Sequence, residues 1–258
     1  MEEVEKFEDV RLAANGDLLP VWATQGLPDG TLGPGVRAWV RGGAVAVASP
    51  GLSGRDRLAL RGPLGDAIPL AAAVLAEVGP SYRPFGAAEL IAGLVEGVDG
   101  FGPMHTYYWM DTDRAPGVAS DFGSAGWLDP DEAQAAAGLF DRHFPGSYAQ
   151  PGRPGVRRWA AVRDAEGPLA LAAEAWSGRE AGFLAGVLTR PDARGRGLAR
   201  QVCGFVLNAL LERDGRAALM VHRDNAAAIR TYQQLGMRES LLGAADLLPT
   251  AGSTQHGG

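Results

Sequence analysis

Residues 183–238 constrain the fold of this chain more than any other stretch. An apolar run from Phe183 to Leu188 predicts a buried strand. After a short loop, Arg194-Gly195-Arg196-Gly197-Leu198-Ala199 opens a helix. Leu198, Val202, Phe205, Val206, Ala209 and Leu210 recur on one helical face, and Gly215 marks its C-terminal cap. Ala217 to Val221 predicts a second strand. A second helix follows from about Ala226 to Leu235 and stops at Gly236. A glycine-rich loop between a strand and a helix N-terminus offers unpaired N–H groups, and a positive dipole end, to an anion.

Two familiar anion-binding motifs are excluded. A P-loop needs Gly-Lys-Ser/Thr, and Lys6 is the only lysine in the chain. A dinucleotide fingerprint needs a third glycine where Arg200 stands, and Pro191 interrupts the loop. The stretch resembles the GNAT acyltransferase superfamily, whose signature is a strand, then Arg-Gly-x-Gly-x-Ala/Gly, then a helix. A second motif of that superfamily is matched by Asn225-Ala226-Ala227-Ala228-Ile229-Arg230-Thr231-Tyr232 and Leu235-Gly236. The resemblance is specific over residues 181–238 and extends back to Leu128. Asp192 stands where the fullest form of the loop has Gln or Arg, and Met237 where Phe is usual. Neither departure removes a backbone donor.

Composition narrows the class. The 258 residues are 46% hydrophobic and 21% charged, as in a soluble globular protein. A net charge of −6 argues against nucleic acid or an anionic membrane as the main partner. No apolar run reaches the length of a membrane span, and the acidic first ten residues are no secretory signal. Cys203 is the only cysteine, so no disulfide or cysteine metal site forms within one chain. No cluster of His, Cys and carboxylates has metal-ligand spacing, so no metal is expected. These features predict a cytoplasmic enzyme and leave its oligomeric state open.

Along the chain, Val10 to Leu19 predicts one short helix and residues 26–35 a Pro/Gly-rich loop. Val36–Val40 and Ala44–Ala48 predict a hairpin around Gly42-Gly43. Arg57–Arg61 predicts a strand, and Asp66 the cap of a helix reaching Val78. Ala87–Val98 predicts another helix and His105–Met110 another strand. In the second half, Asp129-Pro130-Asp131-Glu132 is a helix start, with Asp129 at the N-cap, Pro130 next and Glu132 closing a capping box. That helix is expected to reach Phe140. Arg158–Arg163 and Leu169–Trp176 predict a paired hairpin, and residues 238–245 the last strands.

The expected fold class is α/β: a mixed sheet flanked by helices, with two GNAT-like halves in tandem. The boundaries are 1–112 for a degenerate GNAT-like or α+β first half and 113–126 for a linker. The coenzyme-binding half spans 127–248, and a disordered tail spans 249–258. The repeat is suggested by a shared order of hairpin, strand, glycine-bearing loop and helix; an unrelated α+β domain is the alternative. The matching turn of the first half is Gly62-Pro63-Leu64-Gly65-Asp66. Pro63 lacks an N–H and Asp66 is an anion, so both oppose phosphate binding there.

The resemblance implies N-acetyl transfer from acetyl-CoA, as co-substrate, to a primary amine of a small molecule or peptide. A longer acyl donor and a non-catalytic coenzyme A sensor or scaffold are the alternatives. It implies that Arg194, Gly195, Arg196, Gly197, Leu198 and Ala199 hold the pyrophosphate, and that Val187, Leu188 and Thr189 pair with the pantetheine. Asn225 would contact coenzyme A, with Asp224 free to cap the helix in its stead; capping by Asn225 itself is the competing reading. Tyr232 would protonate the leaving thiolate. Two residues stand for the base. Glu174 sits in an otherwise apolar strand where burial would raise its pKa, and His222 ends the strand before Asn225. Arg200 could also meet phosphate. Cys203 is expected to pack within its helix. Trp22, Trp39, Tyr107, Tyr108, Trp109 and Trp127 could line an acceptor pocket or fill the core.

Overall fold

The computed structural model describes residues 1–116 and 122–248. The first half runs β1 (Glu2–Val4), α1 (Phe7–Ala14), α2 (Leu18–Ala23), β2 (Arg37–Arg41), β3 (Ala44–Ser49), β4 (Arg57–Arg61), α3 (Leu64–Val78), β5 (Arg83–Ala87), α4 (Ala88–Gly97) and β6 (Phe101–Thr112). The second runs β7 (Gly126–Trp127), α5 (Pro130–Ala135), α6 (Ala137–His143), β8 (Val156–Asp164), β9 (Gly167–Ala175), β10 (Gly182–Thr189), α7 (Leu198–Asp214), β11 (Ala217–His222), α8 (Ala226–Gln234) and β12 (Arg238–Leu247).

Among the described residues the strands join one 12-stranded mixed sheet, in the order β1-β2-β3-β4-β5-β12-β6-β11-β10-β9-β8-β7. Each half gives its last strand to the other. β12 closes on β5 of the first half, where Leu242 pairs with Ala87. β6 closes on β11 of the second, where Tyr108 pairs with Val221. The two exchanged strands meet at the centre, antiparallel, with Tyr107 opposite Leu242 and Tyr108 opposite Leu241. Read from either end, the order of equivalent strands is the same, which is the arrangement a tandem repeat with swapped last strands produces.

Strand alternation sorts the core onto two faces. Ala44, Ala46 and Ala48 of β3 pack under α3 and α4, while Val45 and Val47 face α1 and α2. In the second half Ala170 and Ala172 of β9 pack beneath α7, and Leu171 and Ala173 join Phe140 and Trp159 opposite. A ring cluster of Trp22, Phe85, Trp109 and Phe183 joins the halves on that opposite face.

Several elements differ from expectation. The single helix over residues 10–19 is two, because Asn15 and Gly16 adopt left-handed conformations (φ 47° and 84°) that end α1. Residues 83–87, which carry no expected strand, form β5, so the helix expected from Ala87 starts at Ala88. The helix from Asp129 keeps its capping box but breaks at Ala136 into α5 and α6. Asp66 does not cap α3, which starts at Leu64. Its carboxylate accepts the N–H of Gly43 in the β2–β3 turn at 3.0 Å. Residues 238–247 are one strand, and the expected tail lies outside the described residues. No described helix is long and apolar enough to cross a membrane.

Candidate functional site

The site begins where two equivalent strand pairs differ. β4 and β5 are parallel and paired over four positions, from Arg57–Arg83 to Leu60–Gly86. β10 and β11 are also parallel, but pair only at Gly182–Ala217 and Phe183–Ala218. Beyond Phe183 the strands part. A bulge between Ala185 and Leu188 bends β10 away while it stays paired with β9. Gly186 sits in that bulge at φ 62°, and a Cβ there would lie 2.5 Å from the Trp159 ring. A glycine inside an apolar strand is the sequence signal for such a bulge.

The fork opens onto the glycine loop. Gly195 and Gly197 have φ of 76° and 74°, and nothing lies within 4 Å of either Cβ position. Gly197 is the N-cap of α7 and offers no side-chain cap. Among the described residues, the backbone N–H groups of Gly195, Arg196, Gly197, Leu198 and Ala199 have no acceptor. These donors face open space at a helix N-terminus, so the loop fits a pyrophosphate. Asp192 does not oppose this. It is held by Arg190 (Nε–Oδ1 3.0 Å), which lowers its pKa to about 2.

Val187, Leu188, Thr189, Arg194, Gly195, Gly197, Leu198, Ala199, Arg200, Asn225 and Tyr232 bound one cleft. Arg196 lies outside it, exposed. The equivalent cleft of the first half, lined by Arg61, Gly62, Pro63 and Ala87 among others, lacks these features. There Pro63 stands at the N-cap of α3, Asp66 fills the turn, and β4 and β5 stay paired.

A second cavity of about 310 Å³ lies over the middle of the sheet, between the halves. It is lined by residues of β10 and β11, by Arg57, Arg83 and Tyr107, and by the loop after α6. It shares Phe144, Val187, Asn225 and Tyr232 with the first cleft, so the two meet at Tyr232. Of the aromatic residues expected to line an acceptor pocket, only Tyr107 does so. Trp22, Trp39 and Trp109 are buried in the core, and Trp127 lies under the Arg158 guanidinium, 3.7 Å from its ring centre.

Asn225 caps α8 itself: its side-chain oxygen accepts from Ala228 N at 3.2 Å. Asp224 does not take that role; it lies 3.5 Å from His222 Nδ1. Capping uses only the amide oxygen, so the Asn225 NH₂ remains to face the cleft. Tyr232 is 5% exposed, and burial pushes its phenol well above the usual value. Among the described residues nothing hydrogen-bonds its hydroxyl. His222 lies at the end of β11 on the cavity wall, edge-on to Tyr107, with its side chain largely exposed.

Glu174 corrects the sequence reading. It is 1% exposed but lines neither cavity. Burial alone would raise its pKa. The guanidiniums of Arg213 and Arg158 outweigh that and hold it below the usual carboxylate value. Arg158 Nε donates to it at 2.9 Å, and Arg157 and Arg213 complete the cluster. A carboxylate saturated by three arginines is a structural anion rather than a base. Cys203 is fully buried under α8, and burial pushes its thiol up, as suits packing. Among the described residues no group of His, Cys, Asp and Glu could hold a metal ion.

Comparison with known proteins agrees with this geometry. Residues 163–242 match the family model described as FR47-like protein. The fold is similar to that of a GCN5-related N-acetyltransferase from Kribbella flavida, at 20% identity, covering 82% of this chain and 89% of that one, with TM-score 0.55. It is also similar to a GCN5-related N-acetyltransferase-like protein from Streptococcus suis 89/1591, at 17% identity, covering 93% and 98%, with TM-score 0.54. An acetyltransferase of the GNAT family from Colwellia psychrerythraea matches at 10% identity over 96% and 99%, with TM-score 0.51. At these identities the likeness is one of fold. The sequence matches no curated protein.

Proposed function

We propose that this chain, which has the GNAT acyltransferase fold and an FR47-like second half, moves an acetyl group from acetyl-CoA to a primary amine of a small molecule or peptide. One observation carries the reading: a cleft bounded by free backbone donors meets an inter-half cavity at Val187, Asn225 and Tyr232. The first suits a pyrophosphate and the second an acceptor. The free edge of β10, over Val187, Leu188 and Thr189, suits the amides of a pantetheine arm, which would add like a strand.

When bound, the thioester supplies an activated acyl carbonyl and a thiolate leaving group. The remaining tasks fall to the chain. Asn225 keeps an NH₂ to orient the arm. His222, on the cavity wall, takes the proton that the amine loses as its nitrogen bonds to the acyl carbon. Tyr232 donates a hydrogen bond to the sulfur as the C–S bond breaks. Its raised pKa keeps it protonated, but makes full transfer to a thiolate of pKa about 8.5 uphill. Its contribution is therefore stabilisation of the thiolate charge more than delivery of a proton.

The test is thiol release from acetyl-CoA across a panel of primary amines, with the N-acetyl product identified by mass. Release matched by product supports the reading, and the same assay with longer acyl donors sets the chain length. Tight coenzyme A binding without release for any amine or donor would leave a binding protein instead.

A further inference from the structure

The inter-half cavity holds a charge the transfer reaction does not use. Arg57, on β4, is 8% exposed. Its Nε donates to Leu52 O at 2.9 Å, and its guanidinium lies 5.3 Å from the centre of the Phe85 ring. Among the described residues its two terminal nitrogens have no partner. Burial pushes its pKa down to about 10, which still leaves it charged at neutral pH. Arg83 stands beside it in parallel register on β5 and also lines the cavity, but is paired with Asp246. No Asp or Glu is among the cavity's lining residues, although the chain carries a net charge of −6. A buried cation without a counter-ion is costly, so a site that keeps one is built for an anion.

We propose that Arg57 anchors a carboxylate of the acceptor, which makes the acceptor a small amino acid. The assignment rests on the acyl-transfer reading for its amine and on the cavity for its carboxylate. One uncommitted guanidinium presents two parallel donors, the match for a planar monoanion. A phosphate dianion would bury a second charge with no free cation to meet it, because Arg83 is already committed to Asp246. Arg57 and Arg83, on β4 and β5, and His222, on β11, line the cavity from strands on opposite sides of the central pair β12 and β6, and Tyr232 also lines it. An acceptor held by its carboxylate at Arg57 extends its amine toward the fork. There the amine nitrogen bonds to the acyl carbon, the C–S bond breaks, and the amine proton leaves to His222 or water. The residue acts on specificity, apart from the bond-making chemistry.

Matched ligands test this. Calorimetry in the presence of coenzyme A compares glycine, β-alanine, 4-aminobutyrate and the common α-amino acids with their amides and aminophosphonates. At least one carboxylate should bind about 10- to 100-fold tighter than its amide, the range for hydrogen bonds to a charged group. That ratio should fall to near one in Arg57→Gln and recover in part in Arg57→Lys, while coenzyme A affinity stays unchanged and reports that both variants are folded. Carboxylates no tighter than amides in the wild type, a ratio that survives Arg57→Gln, or tighter binding of the phosphonates would each overturn the proposal. The wild-type comparison decides even if a variant fails to fold. Carboxylate binding without any thiol release would sink the transfer reading and keep the anchor; release from neutral amines alone would do the reverse.

Discussion

Trp22 of the first half stacks on Phe183 of the second, ring centres 4.4 Å apart and planes at 19°. Phe183 is the last residue of β10 still paired with β11, so the ring from the other half braces the point where the sheet forks. Trp22 Nε1 also donates to Trp176 O at 2.8 Å. Trp22→Leu should therefore cost about 2–4 kcal/mol, the range for large-to-small changes in a core. Coenzyme A should still bind the folded fraction. Urea unfolding measures the loss; a change under about 1 kcal/mol would mean the brace is dispensable.

The glycine loop should be intolerant of side chains for a conformational reason. Gly197 has φ of 74°, which a β-branched residue adopts only with strain, and it lies at the mouth of the cleft. Gly197→Val should abolish coenzyme A binding, read by calorimetry, while circular dichroism reports a folded protein. Wild-type affinity in the variant would reduce the loop to a turn.

Only one of the two halves has the open fork. Calorimetric titration with coenzyme A should give one site per chain. A second site, or bound pyrophosphate near Gly62 and Asp66, would contradict the reading of Pro63, Asp66 and the paired β4–β5 edge.

Tyr232→Phe should lower kcat by about tenfold and leave acetyl-CoA affinity nearly unchanged; this is below the roughly 10²–10⁴-fold of general-acid catalysis, because the thiolate leaves readily and the phenol only stabilises its charge. Equal kcat would make Tyr232 a packing residue, as its 5% exposure allows. His222→Ala is judged by acceptor pKa. An amine of pKa about 8 is roughly a tenth neutral at pH 7, whereas one near 10.4 is under about a thousandth neutral. Loss of the base should cut kcat/KM for the second about 10²-fold and for the first far less. Equal losses for both would remove His222 from the proton path.

Glu174→Gln should affect stability and leave the pH–rate profile alone. The folded-state pKa is lowered, so the carboxylate stabilises the fold at pH above its ordinary value of 4.5, and that contribution is lost as pH falls through the lower folded value. The variant should be less stable than wild type by about 1–3 kcal/mol at pH 7, below the cost of breaking a fully buried pair because the arginines stay partly solvated. The gap should narrow below pH 4.5. A shifted pH–rate profile would return Glu174 to the list of bases.

The sequence carried the local parts of this structure well. The capping box at Asp129 and Glu132, the span of β4 and the left-handed cap at Gly215 each depend on a few adjacent residues. What it hid is non-local. β5 was missed because Pro84 and Gly86 look like breakers, yet Gly86 is needed: a Cβ there would sit 2.5 Å from Leu60 O. Glu174 was misread because Arg158 and Arg213, which hold its charge, lie 16 and 39 residues away. Arg57 gave no signal, since an arginine at a strand end reads as solvated until Phe85 and the cavity close around it. The strand exchange itself depends on pairings such as Leu242 with Ala87 that no local pattern encodes.

That exchange sets the order in which a nascent chain can finish folding. Domains ordinarily fold in turn as they leave the ribosome. Here the inner edge of the first half, β5, waits for β12, which is made only after the rest of the second half, and β6 waits for β11. Until β12 is made, the early half carries an unpaired strand edge, the kind that recruits neighbouring chains. The two halves therefore cannot be matured, truncated or shuffled as separate modules: each is completed by the other's end.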